Sequence, residues 1–143
     1  MYLNVNFMLD NGAYPPTKAH EEDAGFDLRT PMPFVLQSKD EILIDTGVHV
    51  EIPKGYVGFL KSKSGLNTKF GITSEGVIDS GYTGSIKVKL YRYDINDRLP
   101  YSFNLGDKIT QLVILPIPNV KLNLVDNFAE TERGSNGFGS SGR

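Results

Sequence analysis

Asp79 follows two β-branched apolar residues in Gly76-Val77-Ile78-Asp79-Ser80-Gly81-Tyr82-Thr83-Gly84. A carboxylate in that position is expected to be partly desolvated, which raises its basicity and suits it to take a proton from water. The same residue types also make an ordinary turn, since Asp beside Ser-Gly favours one. Gly106-Asp107-Lys108-Ile109-Thr110-Gln111-Leu112 puts Gln111 on the strand parity of Ile109 and Val113, so its amide is expected to face inward. An inward amide needs a partner, either a backbone group or a held water or phosphate. Lys61-Ser62-Lys63-Ser64-Gly65-Leu66 leads into a helix, with Ser64 as a suitable N-cap. Free N–H groups beside two lysines would attract an anion, or the segment is a plain capped helix with solvated lysines. In Ala24-Gly25-Phe26-Asp27-Leu28 a short apolar strand is interrupted by Asp27, which by itself reads as a loop-edge carboxylate. The tail Arg133-Gly134-Ser135-Asn136-Gly137-Phe138-Gly139-Ser140-Ser141-Gly142 has glycines for close backbone approach, hydroxyls and an Arg fork for an anion, and one aromatic to stack on a base. Its composition equally describes a frayed terminus.

The elements that must position these groups are almost all strands. Leu3, Val5, Phe7 and Leu9 alternate with Tyr2, Asn4, Asn6 and Met8; the same alternation recurs in Val48, Val50 and Ile52, then Ile86, Val88 and Leu90, then Val120, Leu122 and Leu124. Leu112–Ile117 is apolar on both parities and predicts a strand buried between two layers. Turn signals recur at Pro15-Pro16, Pro31 to Pro33, Pro53-Lys54-Gly55, Ser80-Gly81 and Asn96-Asp97. Only Ser64–Phe70 reads as helix, and a short one. Short strands with frequent turns predict an all-β sandwich, jelly roll or small barrel. The expected division is a catalytic barrel over 1–132 and a mobile glycine-rich flap over 133–143.

Composition narrows the chemistry. A chain of 143 residues, 39% hydrophobic and 22% charged, suits one globular domain. A formal net charge of −2 argues against general nucleic-acid binding, while a few local Lys and Arg residues suffice for a small anion. The absence of cysteine excludes disulfides, thiolate metal sites and a Cys nucleophile, and two histidines, His20 and His49, are too few for a His-built metal centre. No apolar run is long enough to cross a bilayer as a helix, and the N-terminus lacks the layout of a signal peptide. A cytoplasmic protein without a membrane partner is expected.

Taken together and in order, the five segments resemble the motifs of the homotrimeric dUTPases, from AGFDL through SKSGL, GVIDSGYTG and GDKITQL to RGSNGFGSSG. The resemblance extends from Ala24 to Gly142. It implies a distorted jelly-roll β-barrel with at most one short helix, hydrolysis of dUTP to dUMP and pyrophosphate, and Mg²⁺ chelated by the triphosphate. By the same resemblance Asp79 activates the water that attacks the α-phosphorus, and Gln111 helps to hold the water or the α-phosphate. Tyr82 packs under the deoxyribose and excludes a 2′-hydroxyl. The backbone around Gly76, Ile78 and Tyr82, and at Lys87, pairs with the uracil edge. Lys63, Ser64 and Gly65 meet the phosphates. Arg133, Gly139, Ser140 and Ser141 close on the γ-phosphate while Phe138 covers the uracil. Asp27 reaches the metal only through water. The implied assembly is a homotrimer whose sites combine segments of more than one subunit.

The chain departs from the usual motifs in two places. Lys63 stands where the family usually has Arg, which keeps the charge and loses the fork. Gly81 stands where a second acid is frequent. Two other readings fit the same residues in part. One is a dCTP deaminase or a bifunctional relative of the same fold. The other is a nucleotide-sensing regulatory protein with a protein partner.

Overall fold

The structure is a computed structural model and describes residues 1–93 and 99–142. The Asn96-Asp97 turn signal and the terminal Arg143 lie outside the described residues. Strands β1 (Asn6–Leu9), β2 (Gly25–Arg29), β3 (Phe34–Leu36), β4 (Glu41–Glu51) and β5 (Tyr56–Lys61) precede one helix, α1 (Ser64–Phe70). Strands β6 (Ile72–Ile78), β7 (Ser85–Arg92), β8 (Tyr101–Phe103) and β9 (Lys108–Pro116) follow it. Seven strands form one curled sheet in the order β1-β4-β7-β6-β5-β9-β2, and β3 pairs with β8 alone. This nearly all-β half-barrel is the jelly-roll class that the strand pattern predicts.

Alternation puts Leu28, Ile44, Val48, Ile86, Val88, Leu90, Ile109 and Leu112 inside, all nearly or fully buried. The β3–β8 pair closes one side through aromatic contacts. Phe34 stacks on Phe103 with centroids 4.5 Å apart, Tyr101 tilts onto Phe103 at 4.7 Å, and Phe70 of α1 meets Tyr101 at 4.5 Å. Those contacts anchor α1, and with it the segment that precedes it.

The helix starts where expected but is capped differently. Lys63, extended at φ −72° and ψ 125°, occupies the N-cap position, and no side chain caps the first turn. Ser64, read from the sequence as the cap, is the first helical residue, and its carbonyl accepts from Thr68 Oγ1 at 2.8 Å. The stop is Gly71 in the left-handed region, φ 65°, whose N–H returns to the Asn67 carbonyl at 3.0 Å.

The sheet departs from regularity in two places that bear on the turn between β6 and β7. First, β4 bulges between Asp45 and His49, which face Lys87 and Ser85 of β7. The buried Thr46 hydroxyl fills the gap, donating to the Ile86 carbonyl at 2.7 Å and accepting from Val48 N at 3.2 Å. Second, β6 changes neighbours along its length. Its first half pairs with β7, from Ile72↔Arg92 to Ser74↔Leu90, and its second half with β5, from Lys61↔Glu75 to Gly58↔Ile78. Beyond Ser74 the facing edges of β6 and β7 therefore share no ladder.

Four sequence expectations need correction. Asp27 is not a loop-edge carboxylate: it sits in mid β2, opposite Gln111, and is only 4% exposed. The first strand is confined to Asn6–Leu9, and all four residues are exposed because β1 is an edge with β4 on one side only. The end of the Leu112–Ile117 run is exposed at Leu115 and Ile117, since β9 there has only β5 beside it. Val120–Leu124 forms no strand. Residues 117–142 carry neither helix nor strand, and Leu122 and Leu124 are bare to solvent.

Candidate active site

The sequence candidates gather into three groups. The first lies where β2, β9 and the end of β5 run side by side, with Asp27 opposite Gln111 and Gln111 opposite Lys61. Both oxygens of Asp27 are taken by ammonium groups: Oδ1 by Lys63, which precedes α1, and Oδ2 by Lys108 at 2.8 Å. Burial pushes this carboxyl up, but the hydrogen bonds and charges of Lys108 and Lys63 outweigh it and hold Asp27 below its ordinary range. Asp27 therefore stays ionised and gathers two cations at one point. Each ammonium has three donors, so the bond to Asp27 leaves two for an anion. Lys108 was not singled out in the sequence, although it stands within the GDKITQL segment. Its place on the parity of the buried Thr110 and Leu112, where a charge needs a partner, was the available signal.

Gln111 turns its amide toward the same cluster, where Nε2 donates to the Ser62 carbonyl at 3.0 Å. Of the two partners left open for it, the backbone group is present. Ser62 in turn brackets Ser74, accepting from its N–H at 2.9 Å and donating to its carbonyl at 3.2 Å. Thr110 Oγ1 meets Ser74 Oγ at 2.7 Å and Lys61 O at 3.0 Å, so the cluster rests on a buried hydroxyl network. Ser64 and Gly65 stand exposed at the start of α1.

The second group is the turn between β6 and β7. Tyr82 N–H closes it onto the Asp79 carbonyl at 3.1 Å, and Gly81 adopts φ +123°, a conformation that side chains resist. Val77, Ile78, Asp79, Tyr82 and Lys87 line a cavity of about 250 Å³ beside the unladdered edges of β6 and β7. Gly76 and Ile78 lie on the β6 side of that opening and Lys87 on the β7 side. Asp79 is exposed, so its own barrel does not provide the desolvation that the sequence suggested.

Two glycines that the sequence did not mark as chemical make room for these side chains. A Cβ on Gly25 would lie 2.6 Å from Gln111 Oε1, and one on Gly84 would lie 2.5 Å from the Tyr82 hydroxyl. The Tyr82 ring thus folds back over Gly84, where its hydroxyl donates to the Ser85 carbonyl at 2.8 Å.

The third group is the tail. Among the described residues, its hydrogen bonds close on residues 131–142 themselves, as in Arg133 Nε to Asn136 O at 2.8 Å and Gly134 N to Thr131 Oγ1 at 3.0 Å. Phe138 is fully exposed, and Arg133, Gly139, Ser140 and Ser141 line a cavity of about 770 Å³ that the tail forms with no barrel residue.

These groups do not meet within one chain. Ser62 is fixed against Ser74, and Asp79 lies five residues further along the same strand, about 16 Å away at the rise of an extended chain. Gln111 hangs on the Ser62 end and Asp79 stands at the other, so a single chain cannot put both against one water. Among the described residues there is also no group of three His, Asp or Glu that could hold a metal ion. A carboxylate surrounded by two lysines suits a polyphosphate better than a bare cation.

The comparisons with known proteins agree on one family. The dUTPase family model matches residues 12–142. The deoxyuridine 5'-triphosphate nucleotidohydrolase of Tropheryma whipplei (strain Twist) is 40% identical over 139 residues, 95% of this chain and 94% of that protein. The Staphylococcus bacteriophage 80alpha dUTPase, solved with dUPNHPP, superposes with a TM-score of 0.86 at 32% identity, covering 98% of this chain and 99% of that one. A mutant dUTPase from phage phi11 of S. aureus, described with a structural Mg(II) ion, gives a TM-score of 0.80 at 30% identity over 88% of this chain and 99% of the other.

Proposed function

The chain belongs to the dUTPase family, and from that premise we propose that it hydrolyses dUTP to dUMP and pyrophosphate at a site assembled between copies of itself. One observation carries the reading. The unladdered edges of β6 and β7 leave backbone donors and acceptors facing an opening that Asp79 and Tyr82 border. A base edge can pair with such a backbone, and a base with the wrong pattern leaves buried groups unpaired, which discriminates strongly. Val77 on β6 and Lys87 on β7 supply that edge, with Gly76 and Ile78, whose backbone turns toward β5 on the parity of Ser74, on either side of Val77; Tyr82 lies flat against the deoxyribose.

Asp79 takes a proton from water, whose oxygen attacks the α-phosphorus. The bond from that phosphorus to the β-phosphate bridge breaks, and pyrophosphate leaves. Gln111 from a neighbouring copy holds the water or the α-phosphate, since about 16 Å of strand keeps it from Asp79 in its own chain. Lys63 and Lys108, anchored on Asp27, face the triphosphate beside Ser64 and Gly65. Mg²⁺ enters as the chelate of the triphosphate and so as part of the substrate, neutralising its charge. Asp27 reaches it only through water, because both its oxygens already serve lysines. The tail closes over the nucleotide with Arg133, Gly139, Ser140 and Ser141 on the γ-phosphate and Phe138 on the uracil.

The assembly proposed is a homotrimer. The bare apolar positions of the segment after β9, with Val120 67% and Leu122 92% exposed, support a neighbouring copy as their cover. Its place of work would be the cytoplasm; among the described residues no helix is long and apolar enough to cross a membrane.

Chromatography of the products from dUTP and dCTP tests the activity. The expected result is dUMP from dUTP and no uracil nucleotide from dCTP; uracil nucleotides formed from dCTP would identify a deaminase instead. A second variant probes the sugar pocket. Gly84→Ala must displace the Tyr82 ring and is expected to cut the preference for dUTP over UTP about tenfold, the scale of one misfitted group in a pocket. An unchanged UTP/dUTP ratio would mean that Tyr82 does not read the sugar.

A further inference from the structure

His49 lies outside the five motif segments, yet it touches one of them. It sits on β4 just past the bulge, opposite Ser85 of β7. Its ring Nδ1 is 2.8 Å from the Thr83 carbonyl oxygen, in the turn between Tyr82 and Gly84, and its Nε2 is 2.9 Å from Asp10 Oδ1. Both partners are pure acceptors. A neutral imidazole has one N–H and could satisfy only one of them, whereas the imidazolium donates to both.

We propose that His49 is a positioning residue for the wall of the site that carries Tyr82. Its imidazolium ties the Thr83 carbonyl to Asp10, holding the turn in register while His49 is protonated and releasing it when the proton leaves. The consequence for nucleotide recognition rests on the dUTP reading above; the tie itself does not.

The surroundings are built to hold both ends of this tie. Asp10 is fixed by its own N–H on the Gly47 carbonyl at 2.8 Å, and Gly47 N–H donates to Asp45 Oδ1 at 3.0 Å. Asp45 also accepts from Ser85 Oγ, and Ser85 O accepts from Tyr82. From β4, the Asp45 carboxylate and the His49 ring therefore both reach residues Tyr82–Ser85, and His49 supplies the bond that depends on a proton.

The charged and titratable groups facing His49 come from each neighbour. Asp10 follows β1, which itself brings none over Asn6–Leu9. Asp45 and Glu51 share its strand, and Glu51 is engaged by Asn6 at 2.8 Å. Lys87 on β7 acts on Asp45, and the turn adds Asp79 and Tyr82. The acceptors Thr83 O and Asp10, with Asp45 behind, raise the affinity of His49 for its second proton above the ordinary value, against an opposing effect of burial. The tie is therefore complete below the usual histidine range, near pH 6.5, and is lost as pH rises through the higher value that His49 has here.

Two measurements on the intact protein test this. In the nucleotide-free protein, the backbone amides of Thr83 and Gly84 should titrate together with the His49 ring nitrogens followed by ¹⁵N NMR. In parallel, the Kd for dUPNHPP should rise about five-fold from pH 6 to pH 9 in the native chain, the scale of one ordinary net hydrogen bond. His49→Gln, whose amide does not titrate, should lack that rise and bind at all pH values about as weakly as the native chain does at pH 9. Amides of Thr83 and Gly84 that ignore the His49 titration would overturn the tie, and so would a His49→Gln profile that parallels the native one. If the analogue bound at no pH, the failure would fall on the dUTP reading, and the NMR titration would still decide the tie.

Discussion

Asp79→Asn is expected to slow dUTP hydrolysis about a thousand-fold, within the range that a general base contributes, while the Kd for dUPNHPP changes by less than about threefold. The split follows from geometry. Asp79 is exposed at the end of β6, so exchanging its carboxylate for an amide of the same shape disturbs no core contact. Its carbonyl, which closes the turn onto Tyr82 N–H, is untouched by the change. On the proposed mechanism, what disappears is the group that accepts a proton from the attacking water. Single-turnover measurement of pyrophosphate release separates the two effects. A variant that still turned over at a near-native rate would remove Asp79 from the chemistry. One that neither bound nor hydrolysed would make it a recognition residue.

Removing the tail, residues 133–143, should cost about a hundred-fold or more in turnover, because an ill-positioned phosphate forfeits much of the gain from orientation. The melting temperature should move by less than about 2 °C, since among the described residues the tail bonds only to 131–142 and buries no apolar side chain. Unequal effects of this kind are what a mobile lid produces. Unfolding of the truncated chain would show that the tail supports the barrel instead.

The strand pattern made the barrel legible because alternation and burial coincide. Val48, Val50, Ile86, Val88 and Leu90 are apolar in the sequence and buried in the sheet. It misled where a strand has a neighbour on one side only or none. Alternation in Val120–Leu124 states that one face wants cover, but not whether that cover comes from the same chain. Asp27 illustrates the opposite case. A carboxylate in an apolar strand reads as an edge residue until Lys63 and Lys108, distant in sequence, are seen to neutralise it. The glycines under Gln111 and Tyr82 stand inside motifs, yet their role is a space, and a space belongs to the packing rather than to the residue type. His49 escaped notice for a related reason: one histidine on a strand carries no chemical signal until its two acceptors are known.

On the proposed roles, the separation of Asp79 from the Ser62 end where Gln111 is held calls for two chains at one site, and subunit mixing tests that proposal directly. Asp79→Asn and Gln111→Ala chains, each nearly inactive alone, would be unfolded, combined in equal amounts and refolded together, and pyrophosphate release from dUTP measured. If every site draws Asp79 from one copy and Gln111 from another, random mixing leaves both native residues in about a quarter of the sites, so about a quarter of native activity should return. A mixture as inactive as its two parents would mean that both residues serve within a single chain and would contradict the shared site.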